Sequence, residues 1–331
     1  MKRRQWLRLA LGAGIVSSLG AARGPVSLDD GGLQWRERLL HGFGTTLRLQ
    51  AAHADAAVLD SALDEAVRTL RRIERQMNLF DPGSDLSRLN REGRLDHPPP
   101  ELLEVLSLAR DVSAASGGAF DATVQPLWLC WDRASRQGRL PSAPEITQAR
   151  SLVDWRGLRV EARAVVLERP GMGVTLNGIA QGYAADRVRA VLAAHGIADA
   201  LVDAGEYAPL GRNPQRHAWT LGVADPTRHE ALLARLLADG RCLATSGDDQ
   251  SSFSADHLHH HILDPARGDS PPALSGVTVA ARSGALADAL TKVMFIAGPQ
   301  RVAALAAHWD VDVLWVAKDG RWGATPGLRL A

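Results

Sequence analysis

The sequence predicts an α+β fold. Long amphipathic helices and short strands are both present, and they do not follow the regular alternation of a doubly wound parallel sheet. Leu59, Leu63, Ala66, Val67, Leu70, Ile73 and Met77 recur at helical spacing with Arg and Glu between them, which draws one apolar stripe along a helix. Apolar runs of strand length, bounded by turn residues, fall at 45–50, 165–168, 219–224, 277–281 and 311–316. The sequence shows no internal repeat.

From the N-terminus, Lys2-Arg3-Arg4 precedes an apolar run from Leu9 to Leu19 and small residues at Gly20, Ala21 and Ala22. This order predicts a cleavable export signal at residues 1–22, with the paired arginines pointing to the twin-arginine route and an ordinary Sec signal as the alternative. The mature chain, 23–331, is then expected to work in the periplasm. Its apolar run is shorter than the roughly 20 residues of a membrane-spanning helix, and no later segment is long and uncharged enough to cross.

The stripe helix ends as Met77 enters Asp81-Pro82-Gly83-Ser84-Asp85, which carries turn chemistry at nearly every position. A second helix is expected at 100–116, closed by Gly117-Gly118. A third, at 178–195, is expected to follow a short apolar strand and to stop at Gly196, before Ala200-Leu201-Val202 resumes as a strand. The last helix, 283–297, takes Ser283 as its cap and Gly298-Pro299 as its stop, and Asp319-Gly320 reads as a hairpin turn. Segments 140–148 and 269–274 carry the weakest signals, and the former is where two subdomains would divide.

Hydrophobic residues make up 46% of the 331, enough for a sizeable core. The 38 basic and 37 acidic residues nearly cancel, which argues against a nucleic-acid surface or a polybasic membrane contact. The nine Trp, against two Tyr and five Phe, read first as rigid packing anchors. Cys130 and Cys242 have no metal-type spacing, and two buried thiols are favoured over one disulfide.

Three stretches could carry chemistry. Thr175-Leu176-Asn177-Gly178-Ile179-Ala180-Gln181-Gly182-Tyr183 leads through a glycine-containing turn into a helix, where backbone N–H groups can seat a phosphate; tight helix packing is the alternative use of those glycines. Asp288 and Thr291 fall on one face near the start of the last helix, hard oxygen ligands that suit Mg²⁺, although an Asp there also complements the helix dipole. His257, His259 and His261, in an extended run, would share one face; one histidine near a phosphate is a candidate general base.

Six separated strings then occur in one order: Phe80-Asp81-Pro82 through Ser87-Arg88-Leu89-Asn90; Gly118-Ala119-Phe120-Asp121-Ala122-Thr123-Val124; 176–185; Ala244-Thr245-Ser246-Gly247-Asp248; His260-His261-Ile262-Leu263-Asp264-Pro265; and Leu286-Ala287-Asp288-Ala289-Leu290. Over about 77–305 the chain resembles the FAD:protein FMN transferase (ApbE-like) family, and the 175–183 wording with Gly205-Glu206 resembles the NosX-like branch associated with nitrous-oxide respiration. The resemblance implies mainly antiparallel sheets with packed helices in two intimately associated subdomains. It implies an FAD site at Met77, Phe80, Ala119, Phe120, Asp121, Thr175, Gln181 and Ile262, and magnesium at the Gly178 carbonyl and Asp288. It also implies His261 as a catalytic or phosphate-positioning residue, and a flavoprotein subunit of a membrane-associated redox system as acceptor.

The implied reaction cleaves FAD, attaches FMN through its phosphate to a Ser or Thr hydroxyl of the acceptor, and releases AMP. FAD pyrophosphatase activity and a non-catalytic flavin carrier are the alternatives. Three positions depart from the family's pattern. Thr175 stands for an acidic residue and Gln181 for a lysine, a trade that reads as a neutral hydrogen-bonding pair. Lys292 stands four after Asp288, where the family often has a hydroxyl ligand. Either Thr291 reaches the metal, or the ammonium takes over part of its charge.

Overall fold

The computed structural model describes residues 22–23, 27–28, 32–226, 228 and 231–331, and an antiparallel sheet organises them. The expected export signal lies, but for Ala22, outside the described residues. Among those residues no helix is long and apolar enough to cross a membrane.

The chain begins with β1 (Ala22–Arg23), β2 (Ser27–Leu28), β3 (Gln34–Gly42) and β4 (Thr45–His53). β3 and β4 pair from Gln34 with His53 to Gly42 with Thr45, and Phe43-Gly44 joins them. Both turn residues have positive φ, the conformation whose twist matches that of two antiparallel strands. Helix α1 (Ala56–Met77) is capped by Asp55, whose carboxylate accepts the N–H groups of Ala57 and Val58. Its buried stripe is the one read from the sequence.

Next come α2 (Asp85–Glu92), β5 (Arg94–Asp96) and α3 (Pro100–Ala115), after which Gly117 and Gly118 take positive φ as the expected stop requires. Then follow α4 (Gln125–Arg136), α5 (Ala143–Arg150), β6 (Leu158–Glu161) and β7 (Ala164–Leu167), with β5, β7 and β6 forming a small sheet. The segment 140–148, read as weak, thus holds most of a helix. Glu145 reaches back to accept the backbone N–H and the hydroxyl of Ser142, both at 2.8 Å, and Pro144 sits in the first turn. Ser142-Ala143-Pro144-Glu145 spells that helix start, and its turn-like composition obscures it.

The second half contains α6 (Ala180–Ala194), β8 (Asp199–Asp203), β9 (Tyr207–Leu210), β10 (Thr220–Ala224), β11 (Leu232–Leu237), β12 (Cys242–Gly247) and β13 (Leu274–Ala281). It ends with α7 (Gly284–Ala297), α8 (Pro299–Trp309), β14 (Asp312–Ala317) and β15 (Trp322–Ala324). Proline after Gly298 does not only stop α7; with no N–H to satisfy, Pro299 opens α8. The strand expected before α6 is not formed. There Asn90 clasps the chain instead: its amide nitrogen donates to the Val174 carbonyl at 2.7 Å, and its oxygen accepts the Val174 N–H at 2.6 Å. One side chain therefore satisfies the backbone groups that a neighbouring strand would have paired.

The main sheet runs β1-β3-β4-β8-β9-β12-β13-β14-β15, with β2 on β3. β13 is buried along its whole length because both faces are covered. Val277, Val279 and Ala281 join the main core with Leu290 and Val293 of α7, while Ala280 meets the β10–β11 hairpin through a second cluster with Leu221, Val223 and Leu236. Trp35, Trp131 and Trp219 are buried anchors, as the uneven aromatic usage implied. Both cysteines are free thiols, Cys242 buried and Cys130 half-buried.

α6 and α7 cross at two glycines. A β-carbon on Gly182 would lie 2.1 Å from the Gly284 carbonyl oxygen, and one on Gly284 would lie 2.6 Å from the Gly182 oxygen, so the backbones touch. Asp186 of α6 accepts the Ser283 hydroxyl at 2.8 Å and the N–H groups of Gly284 and Ala285 at 2.7 and 3.1 Å, capping the first turn of α7. Gly182→Ala is expected to lower the unfolding free energy by at least about 2 kcal/mol, since neither backbone can give way. Urea unfolding measures this, and a loss below about 0.5 kcal/mol would mean that the crossing is looser than described.

Candidate active site

The crossing sets the first turn of α7 beside the entry to α6, and the charged groups of the site gather there. Asp288 is 1% exposed; its Oδ2 accepts the Gly182 N–H at a long 3.4 Å, at the positive end of α6. Lys292, one turn further along α7, places Nζ 2.5 Å from Asp288 Oδ1 and 3.2 Å from the Asp288 carbonyl oxygen. Thr291 is fully buried, donates to that same carbonyl at 2.6 Å and meets the Ser246 hydroxyl at 2.7 Å. Its hydroxyl is engaged between α7 and β12, and Thr291 does not line the cleft.

Glu206 joins them from the β8–β9 turn, where Gly205 at φ 95° brings the chain over Gln181. Its Oε2 accepts the Thr245 N–H at 3.0 Å. Burial raises the Glu206 carboxyl well above the usual carboxylate range and the neighbouring Asp288 charge raises it further, with Lys292 working in the opposite direction. Sequence reasoning used Glu206 only as part of a resemblance. The glycine before it was the available signal, because a positive-φ residue in so short a connection aims its neighbour.

Asp288, Lys292 and Glu206 line a cleft of about 140 Å³ together with Phe80, Ala119, Phe120, Asp121, Thr175, Gly178, Gln181, His261 and Ile262. Most of the residues expected at the site therefore converge. Met77 does not reach the cleft: at 2% exposure it closes the buried stripe of α1 and packs in the main core. Phe80 stands 64% exposed at the rim, whereas Phe120 is buried and packs toward Gly178. A larger cavity of about 590 Å³ adjoins at Leu79 and Gln125, between α2, α4 and the 171–173 loop, but the carboxylates, Lys292 and His261 all belong to the smaller cleft.

Asp121 borders the cleft with its carboxylate already occupied. Oδ1 accepts the N–H and hydroxyl of Thr123 at 2.8 and 2.7 Å, and Oδ2 accepts the Trp155 N–H at 3.0 Å. It shapes the loop that carries Ala119 and Phe120. The expected neutral pair of Thr175 and Gln181 is not made: Thr175 accepts the Asn177 N–H at 3.2 Å, and Gln181 packs over Gly205.

The histidine run is not extended. His257 has φ 57°, and the Phe253 N–H bonds back to the His259 carbonyl at 2.7 Å, so residues 253–259 form a tight loop. The three alternate histidines consequently separate, and no metal-type group of His, Cys, Asp and Glu is found among the described residues. His259 stacks on Trp131, with ring centroids 4.9 Å apart, and its Nδ1 lies 2.7 Å from Asp269. His260 is fully buried against Phe295. His261 lines the cleft, and its Nδ1 lies 3.1 Å from the Ser251 carbonyl. A carbonyl only accepts, so Nδ1 carries the proton and Nε2 is the basic nitrogen of the neutral ring.

The ApbE family's sequence profile matches residues 43–315. The chain belongs to the ApbE family. It is 27% identical over 83% of its length to a FAD:protein FMN transferase of Vibrio cholerae, covering 85% of that protein. Its fold is similar to that of the ApbE protein of Thermotoga maritima, with a TM-score of 0.80 and 25% identity over 88% of this chain and 97% of that one. The apo flavinyl transferase ApbE of Pseudomonas stutzeri gives 0.76 and 26%, over 93% and 96%. The mixed antiparallel architecture expected from the resemblance is thus the family's fold.

Burial pushes the His260 imidazole down from 6.5 to about 3. The unfolded chain takes up that proton as pH falls through about 6.5 and the folded chain only near 3, so the stability His260 contributes is present above this window and lost within it. His260→Asn is expected to flatten the acid limb of unfolding free energy against pH. An unchanged limb would show that His260 titrates normally.

Proposed function

We propose that this chain is an FAD:protein FMN transferase that works in the periplasm. The observation that carries the reading is the cleft itself, in which aromatic residues, a buried Asp288–Lys292 pair and His261 border one space. Phe80 at the rim and Phe120 in the wall give the isoalloxazine apolar surface, while Lys292 and the small residues at Gly178 take the pyrophosphate. An acceptor Ser or Thr hydroxyl attacks the FMN-side phosphorus. Its proton passes to His261 Nε2, the new O–P bond forms, the P–O bond to AMP breaks, and AMP leaves.

The magnesium ion that the resemblance sets on the Gly178 carbonyl and Asp288 does not fit the residues as placed. Mg²⁺ needs near-ideal octahedral oxygen donors, whereas Lys292 occupies Asp288 Oδ1 and the Thr291 hydroxyl is engaged elsewhere. The export-signal pattern read from the sequence at residues 1–22 supports the periplasmic location. The 175–183 wording supports as acceptor a flavoprotein subunit of a membrane-associated redox system, in particular that of nitrous-oxide respiration.

Incubating the protein with FAD and a candidate acceptor domain tests this reading. FMN covalently bound to the denatured acceptor, with AMP released, is the expected product; free FMN would indicate a pyrophosphatase, and intact FAD a carrier. Asp288→Ala, which strips Lys292 of its counter-charge, is expected to lower kcat at least about a hundredfold. Phe80→Ala is expected to weaken FAD binding about tenfold while changing kcat little, as loss of a single stacking contact would.

A further inference from the structure

Resting on the transferase reading, we propose that Lys292 is a built-in cation that stands where a divalent metal would otherwise neutralise the pyrophosphate, so that this chain transfers FMN without a metal ion. The geometry fixes the ammonium against the substrate's space. A β-carbon on Gly178 would lie 3.0 Å from Lys292 Cε, so the lysine arm crosses the cleft directly over the glycine whose carbonyl would have faced a metal. The Lys292 side chain is 19% exposed, open to the cleft, while Asp288 beneath it is 1% exposed.

An ammonium has three donors. Asp288 Oδ1 and the Asp288 carbonyl take two, which leaves one for a phosphate oxygen. A divalent ion on Asp288 would have to displace the lysine from that oxygen and then lie within a few ångströms of a like charge, in a setting that screens it poorly. Thr291 offers no substitute, because its hydroxyl is engaged with the Asp288 carbonyl at 2.6 Å and the Ser246 hydroxyl at 2.7 Å, and Thr291 does not line the cleft.

Residue choice points the same way. Lysine occurs only at Lys2, Lys292 and Lys318, and arginine supplies nearly all the remaining positive charge. An ammonium is a compact point charge like the ion it replaces, whereas a guanidinium spreads its charge over a plane. Lys318 has a comparable post, bonded to Asp248 and, at 2.6 Å, to the His257 carbonyl, where it fixes the histidine loop.

Two measurements on the full mature chain test the proposal. The first titrates Mn²⁺ into the FAD-bound protein and follows it by electron paramagnetic resonance. The wild-type protein is expected to show no specific site, and Lys292→Thr, which restores a hydroxyl four residues after Asp288, to gain one. A single tight Mn²⁺ site in the wild type overturns the proposal whether or not transfer occurs. The second compares FMN transfer in EDTA with transfer in excess Mg²⁺. Equal rates within about twofold for the wild type, with Lys292→Thr active only in Mg²⁺, are the expected result. Wild-type transfer abolished by EDTA and restored by Mg²⁺ overturns the proposal. FAD that stays whole with every acceptor in either buffer overturns the transferase reading instead, and the Mn²⁺ titration still decides the role of Lys292.

Discussion

The contact on which the site depends is the crossing of α6 and α7 at Gly182 and Gly284. Two helices that touch backbone to backbone cannot slide or rotate independently. The carboxylates make the arrangement reciprocal, with Asp186 of α6 closing the first turn of α7 and Asp288 of α7 sitting at the first turn of α6. Each helix dipole is thereby complemented by an acid from its neighbour. Gly178, Gln181, Asp288 and Lys292 inherit their spacing from this junction, and the β8–β9 turn, passing over Gln181 at Gly205, then adds Glu206.

Periodicity made the long elements legible. The stripe of α1, the Gly117-Gly118 stop, the Ser283 cap and the apolar run of β13 each have one local physical cause, and each is found where it was expected. What stayed hidden depends on residues far apart in sequence. No pattern near Val174 announces that Asn90 will stand in for a strand there, and Pro299 reads equally well as the end of one helix or the start of another. The start of α5 was written plainly, in Ser142 and Glu145, within a stretch whose composition resembles a loop.

Within the site, proximity was legible but the use of each side chain was not. Phe120, Asp121, Thr175 and Gln181 all reach the cleft, yet the Asp121 carboxylate is committed to Thr123 and Trp155, and Thr175 and Gln181 find other neighbours. The histidine run shows the same limit. Alternation would have placed the rings of His257, His259 and His261 on one face, but left-handed backbone at His257 parts them: His259 stacks on Trp131, His261 reaches the cleft, and His257 stays in the loop that Lys318 holds.

Asn90 holds the chain at Val174, next to Thr175 of the cleft, with two hydrogen bonds from a single amide, where a sheet would have held it with a ladder. A ladder ties every residue to its neighbours, so any change in one rung is felt along the strand. A clasp at one point leaves the positions on either side, Gly173 and Thr175, outside any strand pairing. The segment is fixed instead by point contacts, Asn90 on Val174 and the Ala122 carbonyl on the Thr175 N–H at 2.8 Å, so its path is set apart from the register of the main sheet.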